Sequence, residues 1–318
     1  MTYRCAVLDD YQQVALKMAD WSALKDRVEV TVFDRYMADD PKLAETLAPF
    51  DIICIMRERT PFRRELFAKL PKLKLLVTTG ARNAAVDLAA AKEHGVMVCG
   101  TEGHGHPTAE LALGMMLALA RHIPSESRRL AEQGLWQSSV GIDLKDRTLG
   151  VLGLGRLGSR LARAALALDM KVIAWSQNLT PEKCAEQGVE YVGKEELFRQ
   201  SDFLSVHVVL SDRSRRLVGA DELALMKPSA FLINTSRGEI VDQDALVAAL
   251  KGGRIAGAGV DVYDKEPLPK GHVLFGAPNL LMTPHLGYVT EDNYRTFYSQ
   301  TVEDIAAWLG GKPVRALG

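Results

Sequence analysis

Cysteine is scarce in this chain: four among 318 residues, at positions 5, 54, 99 and 184. No two form a CxxC pair and long gaps separate them, so no local zinc pattern is present and no metal site is expected. Cys5, Cys54 and Cys99 adjoin apolar, strand-like sequence, which points to buried structural thiols in a reducing compartment. An excess of either charge is also missing. Lys plus Arg number 39 and Asp plus Glu 40, so the chain has no global attraction to nucleic acid or anionic lipid. Long apolar runs are missing too. The opening MTYRCAVLDD carries two acids before any such run, unlike a secretory signal, and the longest helix-like apolar segment, Leu111–Ala120, is too short to span a bilayer. A cytoplasmic chain with neither nucleic-acid nor membrane partners is expected.

What is there is ordinary globular composition, 47% apolar and 25% charged, at a length that suits two domains better than one core. The first hundred residues alternate short β-rich runs (Cys5–Leu8, Val28–Phe33, Ile52–Ile55, Leu73–Thr78, Val96–Cys99) with helical patterns at Pro41–Ala48, Pro61–Lys69 and Val86–His94. The prolines of the first two helical patterns suit a first turn, where the missing amide donor has no intrahelical partner anyway. The strands are apolar at consecutive positions, as when helices cover both faces of a parallel sheet. A long helix is predicted from Thr108, as its cap, to His122, with Met115 and Met116 filling core. Pro124 closes that pattern, and Ser125–Asp146, with Trp136, reads as an exposed arm or loop. A second α/β series follows: strands at Leu149–Leu152, Val172–Trp175, Phe203–Val206, Ala230–Asn234 and Ile255–Val260, with helices at Leu157–Leu168, Asp221–Met226 and Asp242–Leu250. A last helix spans Glu291–Leu309, ended by Gly310 and Gly311.

The second series opens on LGVLGLGRLG, placing Gly153-x-Gly155-x-x-Gly158 between a strand and a helix. The three glycines suit a tight turn, close approach to a pyrophosphate, and close helix–strand packing, and the helix N-terminus favours the anion. Dinucleotide binding is therefore expected. The next strand ends in Ser176-Gln177-Asn178, where an NAD-specific site commonly carries an acid for the ribose hydroxyls. These neutral side chains suit NAD or NADP, and discrimination between them is expected to be modest; Lys183 and Arg213 are the nearest candidates for a charge that would change this.

Three further segments narrow the function: Asn234-Thr235-Ser236-Arg237-Gly238, Asp261-Val262-Tyr263-Asp264-Lys265-Glu266-Pro267 and Thr283-Pro284-His285. Singly, each has an ordinary structural use. In this order behind the glycine motif they resemble the D-isomer-specific 2-hydroxyacid dehydrogenases, a likeness that covers nearly the whole chain. The resemblance implies hydride transfer between a nicotinamide (NAD or NADP) and a small 2-keto or D-2-hydroxy acid, glyoxylate or hydroxypyruvate being favoured. It makes His285 the acid–base group, Glu266 its orienting partner and Arg237 the fork that holds the substrate carboxylate and carbonyl. Arg156, Leu157, His207, Thr235 and Asp261 join the glycines and Ser176–Asn178 as expected cofactor contacts. Arg57, Thr79, Gly80 and Ala81 are expected near the substrate, the last three through backbone amides, with Arg82 an additional candidate charge. Where the family often has a glycine-rich turn before the acid matching Asp87, this chain has Ala81-Arg82-Asn83-Ala84-Ala85.

The fold implied is α/β, with two Rossmann-like parallel-sheet domains: a flavodoxin-like substrate domain, residues 1–104 and 288–318, and an inserted dinucleotide-binding domain, residues 105–287. The catalytic groups are expected in a cleft between them, with hinges near Gly103-His104-Gly105 and after His285. A homodimer paired through the arm 121–146 is expected, and no regulatory domain is expected after the final helix. A non-catalytic NAD-sensing corepressor on the same fold is the alternative from another class; the intact Arg237, Glu266 and His285 weigh against it.

Overall fold

The computed structural model describes residues 2–318, which divide into two compact units, one made of the chain up to His104 with Val289–Gly318 and the other of Gly105–Tyr288. The first unit holds strands β1 (Tyr3–Val7), β2 (Val28–Val32), β3 (Ile52–Ile55), β4 (Leu75–Thr78) and β5 (Met97–Gly100), with helices α1 (Leu43–Leu47), α2 (Arg64–Phe67) and α3 (Leu88–Glu93) between them. The second holds α4 (His106–Ala120), α5 (Ile123–Gln133), β6 (Thr148–Leu152), α6 (Arg156–Ala167), β7 (Lys171–Trp175), α7 (Pro181–Ala185), β8 (Glu190–Tyr191), α8 (Lys194–Gln200), β9 (Phe203–Val206), α9 (Ala220–Leu225), β10 (Phe231–Asn234), α10 (Gln243–Lys251), β11 (Gly257–Val260) and β12 (Leu280–Met282). The last helix, α11 (Glu291–Leu309), returns to the first unit.

The first sheet runs β2-β1-β3-β4-β5 with all pairs parallel, the flavodoxin-like order. Every residue of β3 and β4 is buried, which explains the apolar runs Ile52–Ile55 and Leu75–Val77. Phe62 and Phe67 from the α2 side meet Ile53, Ile55 and Leu76 in one core, while α11 packs on β4 and buries Tyr294, Phe297, Tyr298 and Ile305. The tail after α11 is strapped to β5: the Leu317 amide donates to Val98, and the Gly100 amide to Arg315.

The second sheet runs β12-β11-β10-β9-β6-β7-β8, also all parallel. Its strands divide their side chains between two cores. Leu149, Val151, Phe231 and Ile233 face one, with Met115 and Met116 of α4, while Leu152, Leu204, Leu232 and Ala258 face the other. Period-two geometry under helices on both faces produces this split.

Several local expectations change. Thr108 is not the cap of its helix; α4 starts two residues earlier behind Gly105, with Pro107 in its first turn, and Thr108 Oγ1 donates instead to the Gly287 carbonyl at 2.9 Å. Pro124 does not end the helical sequence. His122 turns left-handed at φ 53° and Pro124 sits in the first turn of α5, so the expected loop is helical as far as Gln133, though with no buried residue. Pro41 and Pro61 lie before the helix caps Lys42 and Arg63 rather than within a first turn. Strands β8 and β12 and helices α7 and α8, not anticipated, are two to seven residues long, too short to impose a sequence period.

Candidate active site

Each glycine of the turn after β6 has its own steric reason. Gly153 has φ +103°, and a Cβ there would lie 2.9 Å from the backbone of His207 and Val208. A Cβ on Gly158 would lie 2.2 Å from the Gly153 carbonyl oxygen, so its absence lets α6 close on the strand. Gly155 caps α6 and a Cβ there would meet nothing within 4 Å, leaving the helix N-terminus open to a ligand. Beside this turn is a cavity of about 470 Å³ lined by Gly153–Gly155, by Trp175–Leu179 and Lys183 after β7, and by residues between His207 and Leu217 after β9. The site thus lies beyond the carboxyl ends of adjacent parallel strands, where open sheets leave a ligand crevice. His207 Nε2 is 2.8 Å from Ser205 Oγ, and burial pushes its imidazole down to about 4. It is neutral at physiological pH.

Of the expected cofactor residues, Gly153, Gly155, Ser176, Gln177, Asn178 and His207 line this cavity. Gly158 serves packing behind it. Arg156 and Leu157 do not line it and lie against Gly105, and Thr235 and Asp261 lie beyond neighbouring strands. Thr235 is 5% exposed, and its buried Oγ1 has no partner in the protein. A glycine-cradled helix end, a crevice and an orphan hydroxyl at the next strand end fit a dinucleotide.

The loops after β10, β11 and β12 carry Arg237, Glu266 and His285. Asn234 shapes the first: its Nδ2 donates to the Arg237 carbonyl at 2.9 Å and its Oδ1 accepts from the Ser236 amide at 3.1 Å. Ser236 Oγ ties that loop to the Val208 carbonyl, 2.6 Å away. A Cβ on Gly238 would lie 2.1 Å from the carbonyl carbon of Tyr263, so this glycine lets the Arg237 loop lie on the next one. The Tyr263 amide then donates to Glu266 Oε1 at 2.9 Å, and Glu266 Oε2 lies 2.6 Å from His285 Nδ1. The backbone of the Arg237 loop therefore packs on the loop that carries Glu266, and Glu266 contacts His285 directly. A carboxylate can only accept, so the Nδ1 proton points to Glu266 and Nε2 is left for another partner.

Asp261, fully buried at the end of β11, holds the histidine segment. Its carboxylate accepts from Thr283 Oγ1 at 2.6 Å, the Leu286 amide at 2.7 Å and the Gly287 amide at 2.8 Å, while its carbonyl accepts from the His285 amide. Burial holds its carboxyl above the ordinary carboxylate range, against the opposing pull of these hydrogen bonds. His285 itself has φ 52°, a left-handed conformation that this bracing sustains. Asp261 as an anchor of the loop, and Thr283 and Tyr263 as its supports, were not legible from residue type.

In the first unit, Arg57, Thr79 and Gly80 come together at the ends of β3 and β4. The Arg57 amide donates to Thr79 Oγ1 at 2.9 Å, its guanidinium donates to the Thr79 carbonyl at 3.4 Å, and a Cβ on Gly80 would overlap that guanidinium. The expected presentation of three backbone amides is corrected. Those of Thr79 and Gly80 already donate, to Ile55 and to Thr101 Oγ1, leaving the Ala81 amide. The departure at Ala81–Ala85 is closed by Asn83, whose Nδ2 donates to the Arg57 carbonyl and Thr78 Oγ1 and whose Oδ1 accepts from the Ala85 amide. Asp87 caps α3, and Ala81 and Arg82 are exposed.

A glycine-cradled crevice and an imidazole–carboxylate pair at strand ends of one parallel sheet define a dinucleotide-dependent oxidoreductase. Comparison with known proteins makes this specific. The profile described as D-isomer specific 2-hydroxyacid dehydrogenase, NAD binding domain, matches residues 113–287. The chain is similar to a glyoxylate reductase of Thermococcus litoralis, 38% identical over 78% of both chains, and to a hydroxypyruvate reductase of Thermotoga maritima, 33% identical over 97% of this chain and 99% of that one. The crystal structure of a phosphoglycerate oxidoreductase from Vibrio cholerae superposes with a TM-score of 0.92 at 35% identity, covering 98% of this chain and all of that one. The chain belongs to the D-isomer specific 2-hydroxyacid dehydrogenase family. It is an oxidoreductase that moves a hydride between a nicotinamide and the 2-carbon of a small hydroxy or keto acid.

Proposed function

We propose that this dehydrogenase reduces a small 2-keto acid such as glyoxylate or hydroxypyruvate, with His285 as proton donor. The observation that carries the reading is the 2.6 Å contact of Glu266 Oε2 with His285 Nδ1, which leaves Nε2 to face a substrate oxygen. NADH or NADPH, once bound, would supply the hydride and leave as the oxidised dinucleotide. The protein's own groups do the rest. His285 gives a proton to the carbonyl oxygen in reduction and takes it back in oxidation, Glu266 orients the ring and balances its charge, and Arg237 grips the carboxylate by its planar fork. Gly153–Gly158 are assigned to the pyrophosphate in the second unit, the cofactor domain, and Arg57 and the Ala81 amide are the candidate substrate contacts of the first, the substrate domain. The names of the two reductases above support a short side chain. The test is kcat/KM for glyoxylate, hydroxypyruvate, pyruvate and phenylpyruvate with NADH and NADPH; phenylpyruvate as the preferred substrate would overturn the small-acid assignment.

Four buried thiols outside any disulfide support a reducing, cytoplasmic setting, and no helix among the described residues is long and apolar enough to cross a membrane. A homodimer through α5 and the segment after it is part of the same reading. It is supported by Ile123, Leu130, Leu135, Trp136 and Val140, exposed together on that segment, with Trp136 77% and Val140 92% exposed.

A further inference from the structure

We propose that the cavity after β7 and β9 selects NADPH over NADH, with Lys183 and Arg213 holding the 2′-phosphate; this rests on the cavity being the dinucleotide site. The segment that ends β7 is neutral from Ser176 to Leu179, and by itself it admits a ribose hydroxyl or a phosphate equally. Folding adds what that segment lacks. Lys183, from α7, and Arg213, from the loop after β9, line the same cavity, and no Asp or Glu does. A phosphate carries close to two negative charges near neutral pH and suits a site with two cations and hydroxyl donors. A ribose hydroxyl gains far less from them.

Both cations are placed by neighbours rather than left on loose tethers. Helix α7 is pinned by Cys184, fully buried in the core, and capped by Thr180, whose Oγ1 accepts from the Lys183 amide. Arg213 sits in a turn closed by Ser214, whose Oγ donates to the Val209 carbonyl at 2.7 Å and accepts from the Ser211 amide at 2.7 Å. The next two arginines are neutralised, Arg215 by Glu239 and Arg216 by Asp242. Among the described residues neither Lys183 nor Arg213 is in an ion pair, so their charge is available to a ligand. Both side chains are exposed, so the selectivity is screened by salt.

Calorimetric titration of the purified protein with NADPH, NADH, 2′,5′-ADP and 5′-AMP tests this without turnover. NADPH is expected to bind about tenfold or more tighter than NADH, and 2′,5′-ADP similarly tighter than 5′-AMP, with both ratios shrinking as salt rises. Lys183→Ala and Arg213→Ala should each weaken NADPH and leave NADH within about twofold, whereas Ser176→Asp should reverse the preference. Equal affinity of the wild-type protein for the two dinucleotides, or a preference untouched by both alanine variants, overturns the phosphate assignment while leaving the dinucleotide site in place. Failure of either dinucleotide to bind overturns both.

Discussion

At the scale of single residues, His285 is held at both ends: by Glu266 through its ring and by Asp261 through its backbone. The two supports fail differently. Replacing His285 with Ala removes the proposed proton donor and is expected to lower kcat by about 10²–10⁴-fold with little change in cofactor binding. Near-wild-type turnover by a folded His285→Ala enzyme would refute the proton-transfer assignment. Glu266→Gln keeps an acceptor for Nδ1 but removes the negative charge beside the ring, so it should lower kcat while leaving dinucleotide affinity unchanged. Arg237→Ala should raise KM and lower kcat together if, as proposed, its fork holds the substrate in both ground and transition states. No limb above pH 5 should belong to His207, whose buried ring is neutral there.

Elements carry a different kind of consequence, clearest in the pairing of α11 with the strap that follows it. Asp304, on the inner face of α11, is fully buried; Arg315 Nε donates to its Oδ1 at 2.9 Å, while its Oδ2 has no partner. Burial outweighs the arginine, and the carboxyl is pushed up to about 6. The folded chain thus holds a proton between about pH 4 and 6 that the unfolded chain has lost, so ionisation of Asp304 removes stability as pH rises across that window, by up to about 1.4 kcal/mol per pH unit. Asp304→Asn keeps an acceptor for Arg315 without the charge. Equilibrium unfolding should show this variant gaining on the wild type by roughly 2–3 kcal/mol between pH 4 and 7; a difference independent of pH would contradict the assignment. His207 has the opposite sign. Its ring is pushed down, so the stability it contributes is present above about pH 6.5 and lost as pH falls towards 4.

On the scale of the whole molecule, the exposed apolar surface bears on assembly. The segment Ile123–Val140 exposes five large apolar side chains, two of them on α5, a helix with no buried residue, and three just after it. Light scattering at assay concentration is expected to give a dimer, and Trp136→Asp with Leu130→Asp should convert it to a monomer that keeps its dinucleotide affinity. A wild-type protein that stays monomeric would sink the dimer.

Sequence alone determined the fold class and the order of the chemistry. Runs buried on both faces, such as Ile52–Ile55, read as parallel strands because nothing polar interrupts them. The glycine turn read from type and spacing, whereas Arg237, Glu266 and His285 stood out only through the order of motifs that resembles the family. Local contrast is also why α11 was legible to the residue, while β8 and β12, two and three residues long, were not. Tertiary structure decided what depends on neighbours distant in the chain. It placed Lys183 and Arg213 on one cavity, spent the Thr79 and Gly80 amides inside the protein, and turned Asp261 into the anchor of the histidine loop. Hydrogen bonds and burial are properties of pairs brought together by folding, and no period or motif along the chain encodes which pairs will meet.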